Sequence, residues 1–194
     1  NETVGIITFN SSQRDLISDV LDEECASDPS FGKAVNDEMR RFDNGEDVGL
    51  FIKNIESVQG DERDVIMFSV GYAKNSDGKL MQRFGWLNNR GGENRLNVAI
   101  SRAKKKILIV TSFEPEDLQV DNMKNDGPRI LKKYLQYARA ISDGNKDMAD
   151  SILKSFGDER WETPDEIGSS RISDRVYNAL TRKGYTVERN VGIG

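Results

Sequence analysis

Asn94 to Ser112 reads NRLNVAISRAKKKILIVTS, and the fold can be worked out from it. A short amphipathic segment ends in Ser101-Arg102-Ala103. A basic run follows, Lys104 to Lys106, and then an apolar run, Ile107 to Val110. The apolar run is rich in β-branched residues, which predicts a buried strand. The order is therefore helix, tight basic turn, strand, with Arg102 near the helix end. An arginine on a rigid element can reach a phosphate on a neighbouring domain, because its planar, always-charged fork suits developing phosphoryl charge. The same residues admit a plainer role: Arg102 capping the helix C-terminus, with the lysines in a solvated turn.

Upstream, Val4 to Thr8 reads as a strand, and Asn10, Ser11 and Ser12 suit the N-cap of a helix carrying Leu16, Ile17, Val20 and Leu21. A helix is predicted near Ala34 to Phe42, with a turn at Asn44-Gly45. Leu50 to Lys53 and Val65 to Val70 read as strands, joined by a loop from Ile55 to Gly60. Residues 73–93 form a loop-rich insertion marked by Asp77-Gly78 and Gly91-Gly92. Short buried strands alternating with helices predict an α/β fold with a parallel sheet, and such sheets bind ligands beyond the carboxyl ends of their strands. Thr8 to Arg14, Ser57 to Glu62 and Ser101 to Arg102 are the segments expected at that edge. Downstream, Ile130, Leu131, Tyr134, Leu135 and Ala138 share a helix face, and Met148 to Phe156 makes a second amphipathic piece. Residues 161–166 read as a linker, and 172–183 as a helix ending at Gly184.

Composition excludes several chemistries. The 194 residues include no histidine and one cysteine, Cys25, which argues against a zinc site and rules out histidine acid–base catalysis. A single cysteine forms no internal disulfide and fits a reducing, cytoplasmic setting. The net charge of −5 excludes a chain that is basic throughout, so nucleic-acid contacts must be local. No apolar run approaches the roughly 20 residues of a membrane span. The abrupt start on a strand pattern is expected of a piece of a longer protein.

Three segments carry the chemistry: ITFNSSQRDLI, SVQGDERD at 57–64, and LNVAISRA at 96–103. Gln13, Arg14, Glu62 and Arg63 each have an ordinary alternative as solvated surface charges or helix-surface residues. Together, in this order, the segments resemble motifs IV, V and VI of superfamily 1 nucleic-acid helicases, in the group related to the nonsense-mediated-decay helicase. Motif V there reads close to S-x-Q-G-x-E-x-D, and motif VI close to L-N-V-A-x-[ST]-R-A. The FGWLN before motif VI is also similar. The resemblance covers residues 3–115 and implies the second of two RecA-like motor domains.

What the resemblance implies can be stated residue by residue. Arg102 is the expected arginine finger on the γ-phosphate of ATP, and Arg14 a second γ-phosphate contact, with Gln13 beside it. Glu62 is expected on the nucleotide ribose, with Gly60 permitting close approach. Ser57 and Gln59 lie where motif V couples nucleotide to strand, and Thr8 and Asn10 where motif IV lines the single-strand groove. The chain has no G-x-x-x-x-G-K-[ST] loop, so the phosphate cradle and the Mg2+ ligands are expected on a first RecA-like domain of the same parent. The partners implied are single-stranded DNA or RNA and that first domain, with no membrane. The fragment alone is expected to be inactive.

The tail from Ser169, SSRISDRVYNALTRKGYTVERNVGIG, resembles the start of an endonuclease-like domain of the very-short-patch-repair type. The implied organisation is a RecA-like domain over 1–120, a helical extension and linker over 121–164, and a truncated second domain over 165–194. Two rivals remain. One is a non-catalytic RecA-like scaffold or regulatory module that binds a partner protein, and the other an α/β nucleotide-binding enzyme of another type. Lys104 to Lys106 read as a solvated turn, and Trp86 as an anchor for the insertion more than a stacking platform. The motor reading expects Arg14, Glu62 and Arg102 to converge at one edge of the sheet.

Overall fold

The computed structural model describes residues 2–158. Of these, residues 2–152 belong to one compact unit. In chain order the elements are β1 (Val4–Thr8), α1 (Ser11–Ser27), α2 (Pro29–Met39), β2 (Phe42–Asp43), β3 (Glu46–Asp47), β4 (Phe51–Asn54) and β5 (Arg63–Ser69). They continue with β6 (Ala73–Lys74), β7 (Leu80–Met81), a 3-10 turn (Gly85–Asn88), α3 (Gly92–Ile100) and β8 (Ala103–Val110). A second 3-10 turn (Pro115–Asp117) precedes α4 (Gly127–Ser142) and α5 (Lys146–Asp158). Among the described residues, no helix is long and apolar enough to cross a membrane. The tail resemblance lies outside the described residues.

The main sheet has the order β4-β1-β5-β8, and every pairing is parallel. This is the α/β, RecA-like character expected, a parallel sheet flanked by helices. Alternation along the strands sends Ile7, Phe9, Ile66, Phe68 and Val70 into one core with Leu96 and Ala99 of α3 and Leu131 and Leu135 of α4. Gly92 and Gly127 begin α3 and α4, and a Cβ on either would run into the Leu87 carbonyl. Both helices therefore start tight against the 3-10 turn.

Local chemistry sets the boundaries. The Asn10 side chain accepts from the Gln13 backbone N–H at 2.8 Å and caps α1. The helix expected near Ala34 to Phe42 instead runs from Pro29 to Met39. Asp28 caps it through the Ser30 and Phe31 amides at 2.9 and 3.1 Å, and proline at the first position suits a start. Phe42 belongs to β2, whose turn into β3 has positive φ at both Asn44 (50°) and Gly45 (86°), as a two-residue hairpin of this twist requires.

Two expectations are corrected. Lys104 to Lys106 are not a turn: β8 begins at Ala103 and the lysines lie within it, with a register shift against β5 between Arg63 and Val65. Nor is β8 a buried strand, because it is the sheet's outer strand and Leu108 and Val110 are exposed. Lysines on such a strand discourage edge-to-edge pairing. The insertion, in turn, is more ordered than its turn signals implied. β6 and β7 make a hairpin, and Trp86 donates its indole N–H to the Phe9 carbonyl at 3.0 Å, anchoring the turn to the core.

Candidate functional site

In a parallel sheet, residues that follow a strand lie at the carboxyl edge and residues that precede one lie at the amino edge. Glu62 and Arg102 immediately precede β5 and β8, whose first residues pair as Arg63 with Ala103. Both therefore sit at the amino edge. Thr8 to Arg14 follow β1 and sit at the carboxyl edge. The seven residues of β5 lie between the edges, a separation of about 20 Å at ~3.3 Å per residue. The expectation that Arg14, Glu62 and Arg102 share one edge is overturned. It treats residues before a strand as though they came after it.

The amino-edge site is assembled from inside the sheet outward. Gly5 of β1 leaves room for the Phe51 ring of β4, which a Cβ there would strike. The Arg63 guanidinium stacks over that ring at 5.0 Å. Arg63 is 5% exposed; its Nε donates to the Gly49 carbonyl and its Nη1 to the Glu62 carbonyl, both at 2.8 Å. Its backbone N–H donates to the Arg102 carbonyl at 3.1 Å. One buried arginine thus fixes the backbone of both Glu62 and Arg102. The ordinary alternative for Arg63, a solvated charge, does not hold, and no periodic signal in the sequence marks its burial.

The side chains of the pair meet as well. Arg102 Nη1 lies 3.8 Å from Glu62 Oε1, and Lys104 Nζ lies 3.9 Å from Glu62 Oε2. The remaining Arg102 nitrogens are engaged by its own helix end: Nε donates to the Val98 carbonyl at 2.9 Å and Nη2 to Ser101 Oγ at 3.0 Å. In this structure Arg102 therefore caps α3, its plainer role, while also facing Glu62. Gly60, at φ 92°, is exposed with open space around its Cα. An exposed carboxylate, two cations and an open glycine turn can together receive a polyol and an anion.

The carboxyl edge is built on Asn54. Its Nδ2 donates to Ser11 Oγ at 3.0 Å, and its Oδ1 accepts from the backbone amides of Glu56 (3.2 Å) and Ser57 (3.1 Å). This ties the loop after β4 to the start of α1. Ser57 and Gln59 are exposed on that loop, and Asn10 is exposed beside it. Thr8 differs: it is fully buried, its hydroxyl donating to the Asn10 carbonyl at 2.9 Å, so a bound strand does not reach it here. Gln13 turns inward, donating from Nε2 to Ser69 Oγ at 2.7 Å while its Oε1 is buried without a donor. Arg14 pairs with its neighbour Asp15. Ser69 and Asn54, both missed in the sequence, are ordinary polar strand ends until pairing register places them.

The family model described as AAA domain matches residues 1–114. A relative from Mycoplasma genitalium, named as an uncharacterized ATP-dependent helicase, is 40% identical over 195 residues, which is 100% of this chain and 16% of the relative. Its homolog from Mycoplasma pneumoniae is 33% identical over 197 residues, with the same coverage of 100% and 16%. A putative ATP-dependent RNA helicase of Saccharomyces cerevisiae is 28% identical over 156 residues, 70% of this chain and 12% of that protein. The chain thus spans 16% of the length of the two Mycoplasma relatives it matches.

Proposed function

The chain belongs to the AAA domain family, and from that premise we propose that it is the second RecA-like motor domain of an ATP-dependent superfamily 1 helicase or translocase. Its matches to proteins named as ATP-dependent helicases support this reading. The convergence with Arg14 that this reading expected is not met at the sheet edges, so the reading rests on the relatives and on the 3.8 Å approach of Arg102 to Glu62 at the amino edge. Arg102 would swing from its helix-end acceptors onto the γ-phosphate of ATP, and Glu62 would accept from the ribose hydroxyls, with Gly60 allowing the approach. Phosphoryl transfer to water needs such positioning and charge, and no histidine. The phosphate cradle and the Mg2+ ligands belong to a first RecA-like domain of the parent.

Gln13 and Arg14 belong to the other edge and are not assigned to the phosphate. That edge, with Asn10 and Ser57 exposed, is the proposed side for a single strand, and Gln59 lies on the loop that leaves it toward Glu62. Nucleotide and strand would then occupy opposite edges of one sheet, and the loop from Ile55 to Glu62 would run between them. DNA is favoured over RNA by the tail's resemblance to an endonuclease-like domain.

A second reading has its own observation. Arg102 is already satisfied by Val98 and Ser101, which is what a purely structural cap in a non-catalytic scaffold would show. Strand-stimulated ATP hydrolysis by the full-length protein separates the two. The motor reading expects hydrolysis that collapses on Arg102→Ala, and negligible hydrolysis by this chain alone. Robust hydrolysis by the isolated chain, or full activity of Arg102→Ala in the parent, would sink it.

A further inference from the structure

The hairpin of β6 and β7 contributes no residue to the Arg102–Glu62 pair or to the loop built on Asn54. It leaves the carboxyl end of β5 and is held firmly against the body. Lys74 pairs with Asp117 at 2.8 Å, and Ser112 Oγ donates to the Tyr72 carbonyl at 3.1 Å. Gln82 Nε2 donates to the Gln119 carbonyl at 2.8 Å, and the Gln119 N–H returns to Gln82 Oε1 at 3.0 Å. The tip is closed by Asn75, whose side chain accepts from the Asp77 and Lys79 amides at 3.1 and 2.9 Å. This is a pre-organised projection.

Its outward side has a distinct chemistry. Leu80 packs on the core and Gln82 bonds to Gln119, so this pair faces the body. Lys79, Met81 and Arg83 alternate along the chain with that half-buried pair, Leu80–Met81 being strand and the residues on either side of it not. All three are exposed, Met81 by 51%. Among the described residues neither Lys79 nor Arg83 forms a salt bridge. Glu116 and Asp117 line the same concavity as the strip; Asp117 holds Lys74, and Glu116 accepts from Gln136 at 3.2 Å. Residues 73–93 carry four cations (Lys74, Lys79, Arg83, Arg90) against two carboxylates (Asp77, Glu93), whereas the whole chain is −5. With Glu116 and Asp117 counted, the concavity still carries three cations, Lys74, Lys79 and Arg83, against two carboxylates.

We propose that Lys79, Met81 and Arg83 form a binding strip for single-stranded nucleic acid. Lys79 and Arg83 lie on backbone phosphates, and Met81 lies between them against a base face. Each cation is two residues from Met81, ~6.6 Å where the chain is as extended as in a strand, so the strip runs cation, soft apolar surface, cation. Sequence-tolerant strand binding uses this pairing of positive charge with a flat or polarisable surface for the base. The proposal rests on the helicase reading but adds a surface outside its motifs.

The test uses the full-length protein and fluorescein-labelled 20-nucleotide dT and U oligomers, read by anisotropy over a salt series. Lys79→Gln/Arg83→Gln is expected to weaken binding roughly tenfold and to flatten the salt slope by about 1.4, at ~0.7 for each phosphate no longer neutralised. Met81→Ala is expected to weaken binding about fivefold with the slope unchanged, as removing an uncharged surface beneath a base does. Thermal melting of each variant checks folding, and Lys79→Ala/Arg83→Ala repeats the charge removal with different side chains. Wild-type affinity and slope in both double variants would overturn the strip while leaving the helicase reading intact. Failure of the unmutated protein to bind either oligomer would instead overturn the reading beneath it.

Discussion

Arg102 and Glu62 face each other across 3.8 Å at the amino edge of the sheet, and one of the two is held back. Two Arg102 nitrogens bond to Val98 and Ser101 of its own helix end, whereas the Glu62 side chain is half exposed and open to a ligand. If Arg102 leaves that parking position to meet a phosphate, Arg102→Ala in the full-length protein lowers kcat for ATP hydrolysis by about 10³-fold. As a cap alone, the residue is worth only about 0.3–1 kcal/mol. The variant then melts slightly lower and turns over within tenfold of normal. Steady-state ATPase rates at saturating single strand, measured beside thermal melts, decide between these.

The parallel sheet follows from what the sequence showed openly; its order, β4-β1-β5-β8, did not. Val4 to Thr8, Val65 to Val70 and the Asn94 to Ser112 stretch each carry a period strong enough to name the element. What stayed hidden depended on register. Glu62 and Arg102 look equivalent to Arg14 as charged residues near strand ends, but only the direction of the strand says which edge each occupies. Lys104 to Lys106 look like a turn because three lysines rarely sit in a buried strand; as the outer strand of the sheet, β8 does not ask them to be buried. Arg63 looks solvated because nothing in a linear pattern announces a ring to stack on and two carbonyls to bond.

That buried arginine carries the second prediction. Removing its fork leaves the Gly49 and Glu62 carbonyls without their donors, each costing about 1–3 kcal/mol when buried. Arg63→Met, which keeps the apolar packing on Phe51, should lower stability by about 2–4 kcal/mol, seen as a shift in urea midpoint. Because Glu62 loses its backbone tether, the full-length variant should also show a raised KM for ATP. An unchanged midpoint would mean that Arg63 contributes packing alone.

Acid stability offers a third test. The hydroxyl of Ser30, then the Phe31 and Ser30 amides, hold the Asp28 carboxyl below its ordinary 3.8. The Thr3 amide and then Lys105 do the same for Asp64, and Lys74 and the Glu114 amide for Asp117. A carboxyl whose folded pKa is lowered adds stability that is fully present above the unfolded value. That stability is lost as pH falls through the folded one. These groups therefore contribute a constant amount from neutral pH to about 5 and a falling one below about 4. Melting temperatures from pH 7 to about 2.5 should show that acid limb, and Asp28→Asn should make it shallower. An equally steep limb in the variant would count against the cap.

The approach of Gln13 to Gly71 gives the most discriminating stability experiment. A Cβ on Gly71 would collide with Gln13 Oε1, an oxygen that is buried and has no donor. Gly71→Ala should therefore push the carboxamide off Ser69 and cost about 1–3 kcal/mol. Gln13→Ala removes both the obstacle and the orphaned acceptor, at the loss of one hydrogen bond. In that background Gly71→Ala should cost almost nothing, leaving a coupling energy of at least about 1 kcal/mol in a double-mutant cycle. Additive effects would mean that Gly71 is small for a reason other than Gln13, and that the first turn of α1 is not braced against the end of β5.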